Sequence, residues 1–309
     1  MTRKEKRILS SDGTHLLAGF LYVPEGEPIG VFQMIHGMTD YTQRYDELLS
    51  HLAEQGYLAF GFDFLGHGKT ATEPSERGFI AEKDGWKRLV EDVIITSDAI
   101  RMEYGTELPY FVLGHSMGSF VARCAVAASL RPDGLILMGT SGPEPLAPLG
   151  NAFADCIGAL YGKRYVSRFL QSLIFSDYDR RFPGDYENRW ITVDTENLVR
   201  YKDDPLCTFR FSVSALSDLI RLQRKANSPS FFKNVSSELP ILLLSGEDDP
   251  VGDYGNGVKK VHSRLIKNGK KASFRLFHGY RHEILQDFCR KEVTEEIESF
   301  LNENKKEPM

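Results

Sequence analysis

Ser116 stands in "GHSMG", with Gly114 and Gly118 two positions to either side. The apolar run "YFVLGHS" (110–116) stops at this serine and a helical pattern begins at once after it. That context fits a nucleophile on a tight strand-to-helix turn. Side chains at 114 and 118 would collide with the neighbouring strand and helix, so glycine suits both places. The serine then projects from the carboxyl edge of a sheet, at the positive end of the helix that follows. The alternative is a tight turn with an incidental serine.

A serine hydroxyl needs a base, and the base needs an orienting acid. In a strand–turn–helix topology of this kind both follow the serine, in the chain order Ser, Asp, His. Glu247, Asp248 and Asp249 come just after the apolar run "PILLLSG", and His278 and His282 stand in and after "SFRLFHGYRHE". Asp249, directly before Pro250 and farther into its loop, is the better acid, with Asp248 as a turn carboxylate. His282 lies beyond the strand and is the better base, whereas His278 still belongs to the strand end. Read as an i, i+4 metal pair, the two histidines lack a third ligand and have a glycine between them, so no metal site is expected. The backbone N–H of Met117 and that of Met38, after Gly37 in "IHGMTDYTQRY", are the candidate oxyanion donors. His36 and His115 read as packing or supporting histidines, and His67 as a loop residue.

Five apolar runs, 30–37, 57–66, 110–116, 134–142 and 240–249, have the length and composition of strands buried on both faces. Amphipathic stretches at 45–55, 85–104 and 117–130 separate them with helical spacing. Strand–helix alternation of this rhythm implies an α/β fold, a mostly parallel central sheet with helices on both faces. Two alternating runs around Asp12-Gly13 predict an antiparallel hairpin before it. The rhythm breaks after Pro143 and resumes at Ile241. Residues 1–143 and 240–309 are therefore expected to form the core, and 144–239 an inserted helical cap. Phe153, Ile157, Leu160, Tyr161, Phe169, Leu170, Leu173 and Ile174 either dock that cap or line a channel over Ser116.

With 309 residues the chain can hide roughly three-quarters of its unfolded surface without staples. A net charge of −5 without a basic cluster argues against nucleic acid as the main partner. Cys124, Cys156, Cys207 and Cys289 are far apart and read as free thiols in a reducing compartment. The charged start "MTRKEKRILSSDG" lacks the apolar core of a signal peptide, and no apolar stretch reaches membrane-spanning length. The expectation is a cytoplasmic protein whose tail, "NENKKEPM", is frayed.

The motifs "HGMTDYTQRY" (36–45), "FDFLGHGKT" (62–70), "GHSMGS" (114–119), "GEDDPVG" (246–252) and "GYRHEIL" (279–285) together resemble the monoacylglycerol lipase and lysophospholipase-like α/β-hydrolases, also grouped as the serine aminopeptidase S33 type. The stretch 190–207 is similar to the cap of bacterial lysophospholipase-like members. The resemblance implies an α/β-hydrolase fold, a triad of Ser116, Asp249 and His282, and Met38 in the oxyanion hole. Thr70 departs mildly from the serine that many relatives carry in G-H-G-x-S.

These readings converge on a serine carboxylic ester hydrolase with no cofactor, acting on a small-molecule acyl ester such as a monoglyceride or lysophospholipid. Membrane contact would be transient and through the cap. An S33-type aminopeptidase, a small-ester carboxylesterase and a non-catalytic binding protein on the same fold are the rivals. The first needs an acidic anchor for a free amine, and the last would usually lack a triad member. Fold alone does not select among substrates; the lipid expectation rests on the resemblance and on cap composition.

Overall fold

The structure, a computed structural model, describes residues 1–305. Eight strands form one sheet: β1 (Thr2–Leu9), β2 (Leu16–Val23), β3 (Gly30–Ile35), β4 (Tyr57–Phe62), β5 (Tyr110–His115), β6 (Gly134–Met138), β7 (Ile241–Gly246) and β8 (Ala272–Phe277). Their spatial order is β1-β2-β4-β3-β5-β6-β7-β8. The expected hairpin is present, with β1 antiparallel to β2 and β2 antiparallel to β4. All remaining pairs are parallel. An eight-stranded, mostly parallel sheet flanked by helices is the α/β-hydrolase fold.

Strands covered on both faces explain the continuous apolar runs. In β3, Val31 and Ile35 enter one core, while Phe32 and Met34 enter the other. The first core is closed by α2 (Gly85–Tyr104) and α3 (Met117–Ala128) through Leu89, Val93, Val121 and Ala125. The second is closed by α1 (Asp46–Glu54) through Leu48, Leu49 and Leu52. The C-terminal helix (Arg290–Asn304) joins it through Val293, Ile297 and Phe300. Burying each of these valine, leucine, isoleucine and phenylalanine side chains stabilises the fold by about 1.5–3 kcal/mol before the entropy of ordering it is subtracted. The expected frayed tail is thus helical through Asn304. Residues 306–309 of that expectation lie outside the described residues.

Between β6 and β7 the chain forms only helices: α4 (Ala147–Tyr161), α5 (Arg168–Phe175), α6 (Thr195–Asp203), α7 (Val213–Ala226) and α8 (Pro229–Asn234), with a 3₁₀ turn at Arg189–Ile191. The long apolar patch 153–175 is two helices, because Gly162 takes φ +93° and turns the chain away. Among the described residues no helix is long and apolar enough to cross a membrane. All four cysteines are free, and only Cys156 is exposed.

The topology fixes where a site can form. β3 and β5 are neighbours, yet the chain leaves β3 toward β4 on one side and leaves β5 toward β6 on the other. At such a switch point the loops after the two strands diverge and open a crevice at the carboxyl edge. Gly37 follows β3 and Ser116 follows β5, so both line that crevice.

Candidate active site

Ser116 occupies a backbone conformation that side-chain-bearing residues rarely adopt, φ +53° and ψ −121°. Holding a non-glycine residue there costs of the order of 1–3 kcal/mol. The flanking glycines explain how the turn is tolerated. A Cβ on Gly118 would lie 2.2 Å from the Ile35 carbonyl oxygen, and one on Gly114 would lie 2.5 Å from that of Gly118. Helix α3 therefore presses directly on the ends of β3 and β5. The result is a half-buried serine in the wall of a cavity of about 1630 Å³.

Asp249, after β7, and His282, after β8, meet beside that crevice, with His282 in its wall and Asp249 buried behind it. The His282 Nδ1–H donates to Asp249 Oδ2 at 2.8 Å, which leaves Nε2 as the free ring nitrogen. The carboxylate itself is fully buried and further fixed by the Val251 N–H (2.9 Å) and the Ser245 hydroxyl (3.3 Å). Burial opposes charge on His282, but the adjacent Asp249 carboxylate outweighs it and raises its pKa above the usual histidine value. His282 and Ser116 line the same cavity. The alternative residues are elsewhere: Asp248 is exposed, and His278 is exposed and bonds Glu247 at 2.6 Å.

Around these groups the loop after β3 is held by Asp40. Its Oδ2 accepts from the Gly37 N–H (3.3 Å) and from the Tyr45 hydroxyl (2.5 Å). The Arg44 guanidinium overcomes burial and keeps the Asp40 carboxyl well below the usual carboxylate range. A Cβ on Gly37 would press on Ser116 Cβ at 3.2 Å, so glycine lets the two loops approach without either having to shift. Met38 follows and lines the cavity, as does Met117 at the first turn of α3. His36 has a supporting place: its Nδ1–H donates to the Gly37 carbonyl and its Nε2 accepts from the Phe64 N–H. His115 Nδ1 lies 2.7 Å from the Tyr45 hydroxyl, and its ring centroid 4.8 Å from that of His282. His67, expected as an ordinary loop residue, is fully buried between Phe64, Phe209 and Phe211. Burial pushes its pKa down to about 3, so it remains neutral. The Thr70 hydroxyl donates to the Asp63 carbonyl and accepts from the Ala18 N–H, so the departure from serine keeps a bonded hydroxyl.

The segment after α5 reaches the histidine loop, which the spacing of residues did not indicate. Trp190 packs on the His282 ring at 5.0 Å between centroids. Asp287, fully buried, accepts from the Thr192 hydroxyl (2.8 Å) and the Val193 N–H (2.9 Å). Of the eight apolar residues singled out between β6 and β7, Phe153, Leu170, Leu173 and Ile174 line the cavity. Leu160, Tyr161 and Phe169 instead face solvent, a third outcome besides docking and lining. Among the described residues no group of three or more His, Cys, Asp or Glu is arranged to hold a metal ion.

The sequence profile of the serine aminopeptidase S33 family matches residues 26–288. Human monoglyceride lipase is 31% identical over 298 residues, covering 96% of this chain and 88% of its own. Phospholipase YtpA of Bacillus subtilis is 25% identical over 283 residues, 89% of this chain and 96% of its own. The crystal structure of a thermostable carboxyl esterase from Bacillus coagulans, in complex with glycerol, superposes with a TM-score of 0.92 at 28% identity, covering 98% and 99% of the two chains. With the family profile spanning most of its length, the chain belongs to the serine aminopeptidase S33 family, an α/β-hydrolase of the esterase and lipase group.

Proposed function

We propose that the protein is a serine hydrolase that cleaves the carboxylic ester of a monoacyl lipid, a monoglyceride or lysophospholipid, through an acyl-enzyme on Ser116. The observation that carries this reading is the buried Asp249–His282 pair opening onto the cavity that Ser116 lines. His282 Nε2 takes the proton of the Ser116 hydroxyl as its oxygen attacks the ester carbonyl carbon. The N–H groups of Met38 and Met117 receive the developing oxyanion, an interaction worth about 2.7–4 kcal/mol per donor in such sites. His282 then returns the proton to the leaving alcohol. A water, deprotonated by the same nitrogen, releases the fatty acid and frees the serine. Asp249 holds the ring in the required tautomer and stabilises the imidazolium that forms.

The lipid assignment draws on the apolar wall of Phe153, Leu173 and Ile174, and on relatives named monoglyceride lipase and phospholipase. In this reading residues 144–239 act as a cap over Ser116, with the rest of the chain as the hydrolase core. A second reading, removal of an amino-terminal residue, is favoured by Glu144 and Asp177, carboxylates in the cavity wall that an ammonium group could approach. A panel of p-nitrophenyl esters, monoglycerides, lysophospholipids and aminoacyl anilides separates the two. Monoglycerides or lysophospholipids should give the highest kcat/KM, and a preference for the anilides would transfer the assignment to the peptidase. Labelling by a fluorophosphonate should occur in the parent protein and vanish in Ser116→Ala. The variant's ester hydrolysis should fall roughly 10⁶-fold with an unchanged melting temperature.

A further inference from the structure

Beside the site, with Asp40 and Glu283 in the wall of the same cavity, lies a buried ionic cluster outside the triad. Arg44 Nη1 and Nη2 donate to Glu283 Oε1 and Oε2, both at 2.7 Å, a two-pronged pair. The same Nη1 also donates to Asp40 Oδ1 at 3.2 Å. The three side chains are only 9%, 6% and 4% exposed for Arg44, Glu283 and Asp40. Glu283 further accepts from the Asn197 amide in α6 at 3.3 Å, and its backbone N–H donates to the Ile191 carbonyl.

The chain positions of these groups give the cluster its meaning. Glu283 is the residue after His282, so its side chain and that of the candidate base leave the same loop. Asp40 bonds the Gly37 N–H and closes the loop that carries Met38. Arg44 thus joins the loop of the base to the loop of the oxyanion donor, which are more than two hundred residues apart in sequence. A buried ion cluster is a weak source of stability, because removing its charges from water costs about as much as their attraction returns. What a planar guanidinium with two parallel bonds supplies is fixed geometry.

We propose that Arg44 and Glu283, with Asp40, form a clamp of positioning residues that sets the His282 loop and the Gly37–Met38 loop at working separation around Ser116. The inference rests on the reading of Ser116 and His282 given above. The clamp also shapes the field at the base. His282 faces Asp249 from the loop after β7, Asp40 from the loop after β3, and His115 from the end of β5. Glu283 faces it from its own loop, with Arg44 behind, and Trp190 covers it from the cap. Asp249, Glu283 and Asp40 all favour the imidazolium. Neutralising Glu283 should therefore lower the pH at which the base titrates.

The test compares Glu283→Gln, Arg44→Lys, Arg44→Met and the double variant Arg44→Met/Glu283→Gln. The readouts are kcat and KM on p-nitrophenyl acetate, the pH profile of fluorophosphonate inactivation, and melting temperature. Misplacement of catalytic groups by about an ångström costs on the order of 100-fold. Glu283→Gln should lose roughly 10- to 100-fold in kcat with KM within about twofold, and its inactivation midpoint should move to lower pH. Arg44→Lys keeps the charge without the fork and should lose about tenfold in kcat near the parent melting temperature. The double variant removes both ends of the two-pronged pair and leaves only Asp40 without its cation, still bonded by Tyr45 and the Gly37 N–H, so it should melt higher than Arg44→Met yet stay as slow. Recovery of kcat together with melting temperature in the double variant would reduce the clamp to a structural ion pair and overturn the proposal. So would Glu283→Gln or Arg44→Lys at the parent rate. Ser116→Ala in parallel keeps the two readings apart: labelling of that variant defeats the nucleophile assignment itself.

Discussion

Replacing Asp249 by asparagine tests the orientation of His282 most directly, because the structure dictates how the new amide must sit. One oxygen of Asp249 accepts from the Val251 N–H and the other from His282 Nδ1. Asparagine has a single oxygen. If that oxygen stays on Val251, the NH₂ group meets His282 Nδ1 and forces the ring proton onto Nε2, where it blocks proton removal from Ser116. If the amide flips, its NH₂ group opposes the Val251 N–H in a site with no solvent exposure, at a cost of about 1–3 kcal/mol. The productive arrangement is then depleted by roughly 10- to 100-fold. Losing the carboxylate also removes its attraction for the forming imidazolium, about 4 kcal/mol for charges some 4 Å apart at an effective dielectric constant of 20. Together the loss approaches 5–7 kcal/mol, or at least about 10⁴ in kcat. The assay is kcat on p-nitrophenyl butyrate at saturation, with a melting curve to verify the fold. Asp248→Asn, on an exposed side chain, is the control and should stay within about twofold. An Asp249→Asn protein with a tenth of the parent rate, or an equal loss in Asp248→Asn, would refute the reasoning.

Other expectations follow from the same geometry. In the proposed mechanism His282 must be neutral, and its raised pKa moves the limb: kcat/KM should climb with pH through a midpoint above the reference of about 6.5, whereas a midpoint below it would contradict the Asp249 contact. Acyl chains entering the wall of Phe153, Leu173 and Ile174 should gain up to about 0.8 kcal/mol per methylene, roughly three- to fourfold in kcat/KM per carbon from acetate to octanoate. Leu173→Gln should shorten that optimum and leave acetate hydrolysis unchanged; a flat chain-length series would remove the lipid reading. Gly118→Ala drives a methyl into the Ile35 carbonyl and should cost about 3 kcal/mol in a denaturant melt; a neutral change would mean that α3 can withdraw from β3 freely.

The order of strands and helices was legible because burial on both faces leaves continuous apolar runs, and the helices between them keep their own period. The glycines at 114 and 118 were legible for a similar reason: a turn that tight excludes a Cβ, and a sequence states directly where a Cβ is missing. Residue identity alone could rank Asp249 over Asp248 and His282 over His278 but not separate them. Separation needs burial and a bond distance, both of which depend on how the loops after β7 and β8 lie together. Asp40 and Arg44 stand four apart in a quoted motif, a spacing that could have flagged an ion pair. Their partner Glu283 lies more than two hundred residues away, and no periodicity connects them. The reach of Trp190, Thr192 and Val193 to the histidine loop was equally invisible, as was the outward turn of Leu160, Tyr161 and Phe169. Local patterns record what a residue's own strand or helix requires of it. Contacts between loops from distant strand ends are set by the sheet order, and only the folded chain contains that.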